Sequence, residues 1–125
     1  MIEIAKSFKE NKKALSLKEL DLSKCLIEEQ HITVEFEEMI KSSLCTLKVL
    51  NLRDNFIKQT AAEQILDALK TNKSIVKIHM DYNPIKQQII VEIDELCKRN
   101  RQIDEINQKN KNLIELKMKK MKAST

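Results

Sequence analysis

The sequence predicts an α/β fold built as a short stack of strand–helix units, and three observations carry that prediction. First, three segments share one apolar pattern, with starts 30 and 28 residues apart. Second, the stretches between them place aliphatic residues at i, i+4 and i+8, the spacing of one helix face. Third, the composition is 42% hydrophobic and 34% charged but only 3% aromatic, with no Trp. That balance suits a soluble, helix-rich protein with an aliphatic core. At 125 residues the chain is long enough for one domain and too short for two ordinary ones.

The repeated segments are Leu17-Lys-Glu-Leu20-Asp-Leu22-Ser-Lys-Cys25-Leu-Ile27, Leu47-Lys-Val-Leu50-Asn-Leu52-Arg-Asp-Asn55-Phe-Ile57 and Ile75-Val-Lys-Ile78-His-Met80-Asp-Tyr-Asn83-Pro-Ile85. Each reads aliphatic-x-x-aliphatic-x-aliphatic-x-x-Asn/Cys-x-Ile. The apolar triplet alternates as a short strand does, sending every second side chain into a shared core. Between the strands, the expected buried helix stripes are Ile32, Phe36, Ile40, then Ala61, Ile65, Leu69, then Ile89, Ile93, Cys97. Ile4 and Phe8 fit the end of a preceding helix.

This pattern resembles the leucine-rich repeat family, and its 28-residue spacing resembles the ribonuclease-inhibitor-like subtype. The resemblance covers about residues 15–108. It implies a short right-handed α/β solenoid of about three repeats, with parallel strands on a concave side and helices outside. It also implies that Asn55, Asn83 and Cys25 have structural roles, their side chains bonding backbone groups of neighbouring loops. Ala61 stands where the subtype often has Gly, at little cost in a helix.

After Ile85 two frames compete. Ile103-Asp-Glu-Ile106 keeps the 28-residue spacing from Ile75 but lacks the later positions. Leu113-Ile-Glu-Leu116-Lys-Met118 fills the strand triplet, and the preceding Asn110-Lys-Asn112 echoes Asn72-Lys-Ser74. The second frame is preferred. It requires a long capping helix near 86–108, with Asn100 in its apolar seam, followed by a poor final strand or a basic amphipathic segment over 113–121. The expected division is a repeat domain at 1–108 and a basic tail at 109–125. That tail holds six Lys and one Glu, so it carries +5 of the net +4 and leaves −1 to residues 1–108. Such a tail suits an acidic surface, but 20 Lys against three Arg argues against specific nucleic-acid reading.

The composition also narrows the chemistry. No Gly occurs, which removes phosphate-binding loops, dinucleotide-binding loops, nucleophile elbows and EF-hand loops, all of which need its backbone freedom. Three Cys without CxxC spacing, and two His with no Cys or His at metal-ligand separation from them, predict neither a disulfide scaffold nor a zinc site. Glu28, Glu29, Glu35, Glu37 and Glu38 cluster where a helix begins, a favourable place for negative charge. No catalytic residue, cofactor or metal is expected, and an enzyme is not. No apolar run is long enough to span a membrane.

The face expected to act is the concave one: Glu19 and Asp21 from the first strand, Val49, Asn51 and Arg53 from the second, Lys77, His79 and Asp81 from the third, with Tyr82 beside them. Arg53 and Tyr82 are the residue types that most often dominate protein binding. Short members of the resembled subtype resemble subunits of cytoskeletal or ciliary complexes. The resemblance therefore implies a non-catalytic scaffold or adaptor in the cytoplasm, cytoskeleton or cilium, one subunit of a larger assembly. Its N-terminal end would be covered by another chain. The alternative is a regulatory binder, an inhibitor or small-GTPase regulator, acting through the concave face.

Overall fold

The computed structural model describes residues 17–123. The preceding helix expected at Ile4 and Phe8, and the cover expected over the N-terminal end, concern residues 1–16 and lie outside the described residues. Three short strands, β1 (Glu19–Asp21), β2 (Val49–Asn51) and β3 (Lys77–His79), pair in parallel in that order. Helix α1 (Val34–Lys41) connects β1 to β2, α2 (Gln59–Thr71) connects β2 to β3, and α3 (Gln87–Ala123) follows β3. A single 3₁₀ turn, Glu29–His31, precedes α1.

The strand register is the register of the repeats. Leu20 lies opposite Leu50 and Leu50 opposite Ile78, so equivalent motif positions stand side by side across the sheet. Leu47, Leu50, Leu52 and Ile75 are fully buried, and Leu22, Ile27, Ile57, Ile78 and Met80 nearly so. All three helix stripes expected from the sequence are buried. Each enclosed Leu or Ile contributes roughly 1.5–3 kcal/mol, so the shared interior holds the stack together. Leu17, at the start of the first rung, is 37% exposed.

Local signals start and stop the helices. The Thr33 hydroxyl accepts from the Phe36 amide at 3.3 Å and caps α1, with Glu35 and Glu37 in the first turn and Lys41 in the last. At the end of α2, the Asn72 side chain donates to the Ile40 carbonyl at 2.9 Å and accepts from the Ser74 and Ile75 amides at 2.9 and 2.8 Å. One amide thus closes α2, ties it to the end of α1 and starts the next rung. Ala61, Ala62 and Ala68 are buried along α2, where small side chains let neighbouring elements approach closely.

Helix α3 departs from the expectation. It runs unbroken through residues 108 and 109 for 37 residues, roughly 55 Å at 1.5 Å per residue. Residues 113–121, expected as either a poor final strand or a basic amphipathic segment, are therefore helical, which rules out the strand. The reason is local: after Pro84 no Pro or Gly interrupts the chain, and Leu, Lys, Met, Glu and Gln are all strong helix formers. Asn110-Lys-Asn112 alone does not stop such a run. Asn100 lies 28 residues after Asn72 and keeps the spacing of the rejected frame, but the backbone does not turn there.

The first third of α3 caps the stack. Ile89, Ile93, Cys97 and Asn100 are buried against it. Arg99 donates to the Leu69, Lys70 and Asn72 carbonyls at 3.1, 3.1 and 2.6 Å. Asn100 donates to the Ile75 carbonyl at 2.8 Å, and Arg101 to that of Val76 at 2.7 Å. These three consecutive side chains bond the free carbonyls at the end of α2 and along the approach to β3. From Asp104 onward every described residue of α3 is exposed.

Candidate protein-binding face

The open side of the sheet is built from the residues that alternate with the buried triplet. Glu19, Val49 and Lys77 stand opposite one another as one transverse row, and Asp21, Asn51 and His79 form the next. Arg53 and Asp81 continue their rungs just beyond the strands. Glu19, Asp21, Arg53, Lys77, Asp81 and Tyr82 are exposed, and Val49, Asn51 and His79 half-buried. All nine residues expected on the concave side thus lie on one continuous surface. Its charge runs from acidic on β1, through uncharged Val49 and Asn51, to Lys77 on β3.

The turns after the strands hold this surface in place. The Asp21 carboxylate accepts from the Ser23 amide at 2.9 Å, and Asn51 from the Arg53 amide at 3.0 Å. Ser23, through its hydroxyl and then its amide, holds the Asp21 carboxyl below the usual carboxylate range, with a smaller contribution from His79. Each rung then passes through a left-handed residue at the same motif position, with φ of 54° at Lys24, 58° at Asp54 and 60° at Tyr82. Such a conformation is unfavourable for residues with a Cβ, and a chain without glycine can only impose it by tertiary contacts. Leu26 adds a fourth, at φ 59°.

Those contacts come from the asparagine ladder. Asn55 accepts from the Cys25 and Ile27 amides at 3.0 Å each and donates to the Leu22 and Leu52 carbonyls at 3.0 and 2.9 Å. Asn83 repeats the arrangement one rung on, accepting from the Ile57 amide at 3.1 Å and donating to the Leu52 and Met80 carbonyls at 2.9 and 3.0 Å. The Cys25 side chain, expected to bond a neighbouring loop, instead bonds its own among the described residues, through Sγ to the Ser23 carbonyl at 3.4 Å. Both asparagines are structural, as their position predicts.

The left-handed turn at Tyr82 has a consequence on the surface. Tyr82 is 70% exposed, and the Arg53 guanidinium lies over its ring, 4.9 Å from the centroid. That distance is within the range of a cation–π contact. The two residues singled out as binding anchors therefore stand together as one stacked pair. The sequence places them on neighbouring rungs but says nothing of the stack.

Sequence reasoning missed other surface features. Leu26 and Phe56 occupy equivalent positions on adjacent rungs and are 69% and 52% exposed, next to Pro84 on the third. The position is apolar in all three repeats, and that was the available signal. Arg99 was also missed, since nothing in its local pattern distinguishes a cap from a surface charge. His31 lies elsewhere, its Nδ1 accepting from the Glu28 amide at 2.9 Å. A groove of about 400 Å³ between the ends of α1 and α2 and the side of α3 is lined by Lys41, Lys73, Ser43 and Thr71. Lys48 and Asp104 form an ion pair across it at 3.2 Å. Among the described residues, no group of three or more His, Cys, Asp or Glu is placed to hold a metal ion.

No protein-family model and no curated protein matches the sequence. Among solved structures, the chain is similar to leiomodin-1 actin-binding site 2, with a TM-score of 0.59 at 17% identity over 94% of this chain and 82% of that one. At that identity the likeness concerns the fold, and it supports a leucine-rich-repeat-like arrangement for these strands and helices.

Proposed function

We propose that this chain is a non-catalytic protein-binding module that works in a cytoskeletal assembly through the open face of its sheet. The observation that carries the reading is the stacked Arg53–Tyr82 pair at the margin of a continuous, register-aligned polar face. Arg and Tyr are enriched among residues that dominate interfaces, and a preformed pair loses little side-chain freedom on binding. The likeness to leiomodin-1 actin-binding site 2 makes actin the first partner to test. The 28-residue spacing of the second and third repeats further suggests the ribonuclease-inhibitor-like subtype, and the role proposed is that of an adaptor within a larger complex.

The test is binding of the full chain to monomeric and filamentous actin, alongside affinity capture from a cytoskeletal extract with the partner identified by mass spectrometry. Arg53→Glu and Tyr82→Ala should each weaken the principal interaction by about ten-fold or more, the effect of removing one anchor, with thermal stability nearly unchanged. Full binding by the double variant would overturn the use of this face. Absence of binding to either form of actin, with a non-cytoskeletal partner captured instead, would overturn the cytoskeletal reading.

A further inference from the structure

Beyond the body, α3 continues as a helix whose two sides differ in chemistry. At 100° per residue, Ile103, Ile106, Leu113, Ile114, Met118 and Met121 fall within an arc of about 140°. Ile106, Leu113, Ile114 and Met118 are 54–58% exposed. Lys109 and Lys120 lie along one margin of this stripe, Lys111 and Lys122 along the other together with Asp104, and Asn107, Asn110 and Lys117 interrupt it. Glu105, Gln108, Asn112, Glu115 and Lys119 occupy the remaining side, interrupted by Leu116. Residues 109–125 carry +5, whereas residues 1–108 carry −1.

We propose that this distal part of α3 is a lysine-bracketed amphipathic helix that lies on the surface of anionic lipid bilayers. Both halves of its chemistry fit that occupant. The apolar stripe enters the boundary between headgroups and acyl chains, while the marginal lysines extend their aliphatic stems past it and keep their ammonium groups among lipid phosphates and carboxylates. Juxtaposed lysines are also the group that an anionic leaflet attracts. Among the described residues no helix is long and apolar enough to cross a membrane, so the helix lies flat rather than spanning.

Other occupants fit less of the pattern. For a second copy in a coiled coil, the heptad frame through Ile103 and Ile106 puts Lys117 and Lys120 in the seam, bringing like charges together in a parallel pair, whereas on a bilayer the same lysines meet anionic headgroups. Nucleic acid would use the lysines but not the apolar stripe, and the segment has neither Arg nor an aromatic residue to stack on bases. The same composition leaves a protein partner without the anchors that dominate protein interfaces.

The experiment is sedimentation of the full chain with phosphatidylcholine vesicles, with and without one third phosphatidylserine. Two double variants, Ile106→Asp/Leu113→Asp and Lys109→Glu/Lys120→Glu, are run in parallel. The wild type should bind the serine-containing vesicles about ten-fold or more tightly than the neutral ones, and each double variant should lose most of that binding. Melting temperatures should stay the same, because all four side chains are exposed. Failure of the wild type to bind anionic vesicles overturns the proposal. So does full binding by the Ile106→Asp/Leu113→Asp variant, which would reduce the interaction to charge alone. A dimer that the same variant makes monomeric, without vesicle binding by the wild type, would assign the stripe to a second copy instead. None of these outcomes depends on Arg53 or Tyr82, so this proposal and the one for the open face fail separately.

Discussion

Asn55 shows how much of this structure rests on single side chains. Its side-chain amide satisfies two backbone N–H groups and a carbonyl of the preceding rung and a carbonyl of its own while remaining only 4% exposed. Asn55→Ala would leave these groups enclosed without partners, each costing about 1–3 kcal/mol when truly unsatisfied. Chemical denaturation should therefore show a loss of about 3 kcal/mol, against little change for Asn112→Ala on the exposed part of α3. Cys97 makes a second residue-scale prediction. Burial is the main cause that pushes its thiol up to about 11, from 9.0. The unfolded chain therefore releases this proton at lower pH than the folded one. The contribution to stability is complete below pH 9 and is lost as pH rises toward 11, by at most about 3 kcal/mol. Alkaline unfolding titrations should show that decline, and it should be smaller in Cys97→Ala. The asparagine roles were legible in the sequence because the position repeats with the rung. The left-handed backbone at Lys24, Asp54 and Tyr82 was not, because no glycine marks it.

At the scale of elements, the strands and the first two helices follow from periodicity, whereas α3 does not. Its first third replaces a fourth rung: Arg99 bonds the carbonyls at the end of α2, and Asn100 and Arg101 those leading into β3. Arg99→Ala should cost about 2 kcal/mol, since charged hydrogen bonds contribute more than neutral ones. Arg99→Lys should recover only part of that, because an ammonium cannot reach three carbonyls with a planar fork. Urea unfolding of the two variants checks both expectations. The helix was legible from Ile89, Ile93 and Leu96, but its end was not. Asn110-Lys-Asn112 matches the turn that follows α2, yet Asn72 turns the chain by bonding Ile40, Ser74 and Ile75, and among the described residues the exposed segment around residue 110 meets no neighbouring helix end. A local motif without its tertiary acceptor stays helical.

The whole molecule joins two surfaces of different chemistry through one capping helix. The sheet face is of mixed charge and anchored by the Arg53–Tyr82 stack; the distal helix is basic with one apolar side. Because the solenoid couples each rung mainly to its neighbours, the substitutions proposed for one surface should leave binding at the other unchanged. The sequence alone determined the rungs, the alternation of inward and outward strand residues and the aliphatic interior. These follow from a pattern that repeats, and each repetition constrains the next. Only the tertiary structure decided that Tyr82 turns its ring under Arg53, that Arg99 closes the stack and that α3 never bends into a fourth strand. Each depends on what lies across space from a residue, a distance that no spacing along the chain records.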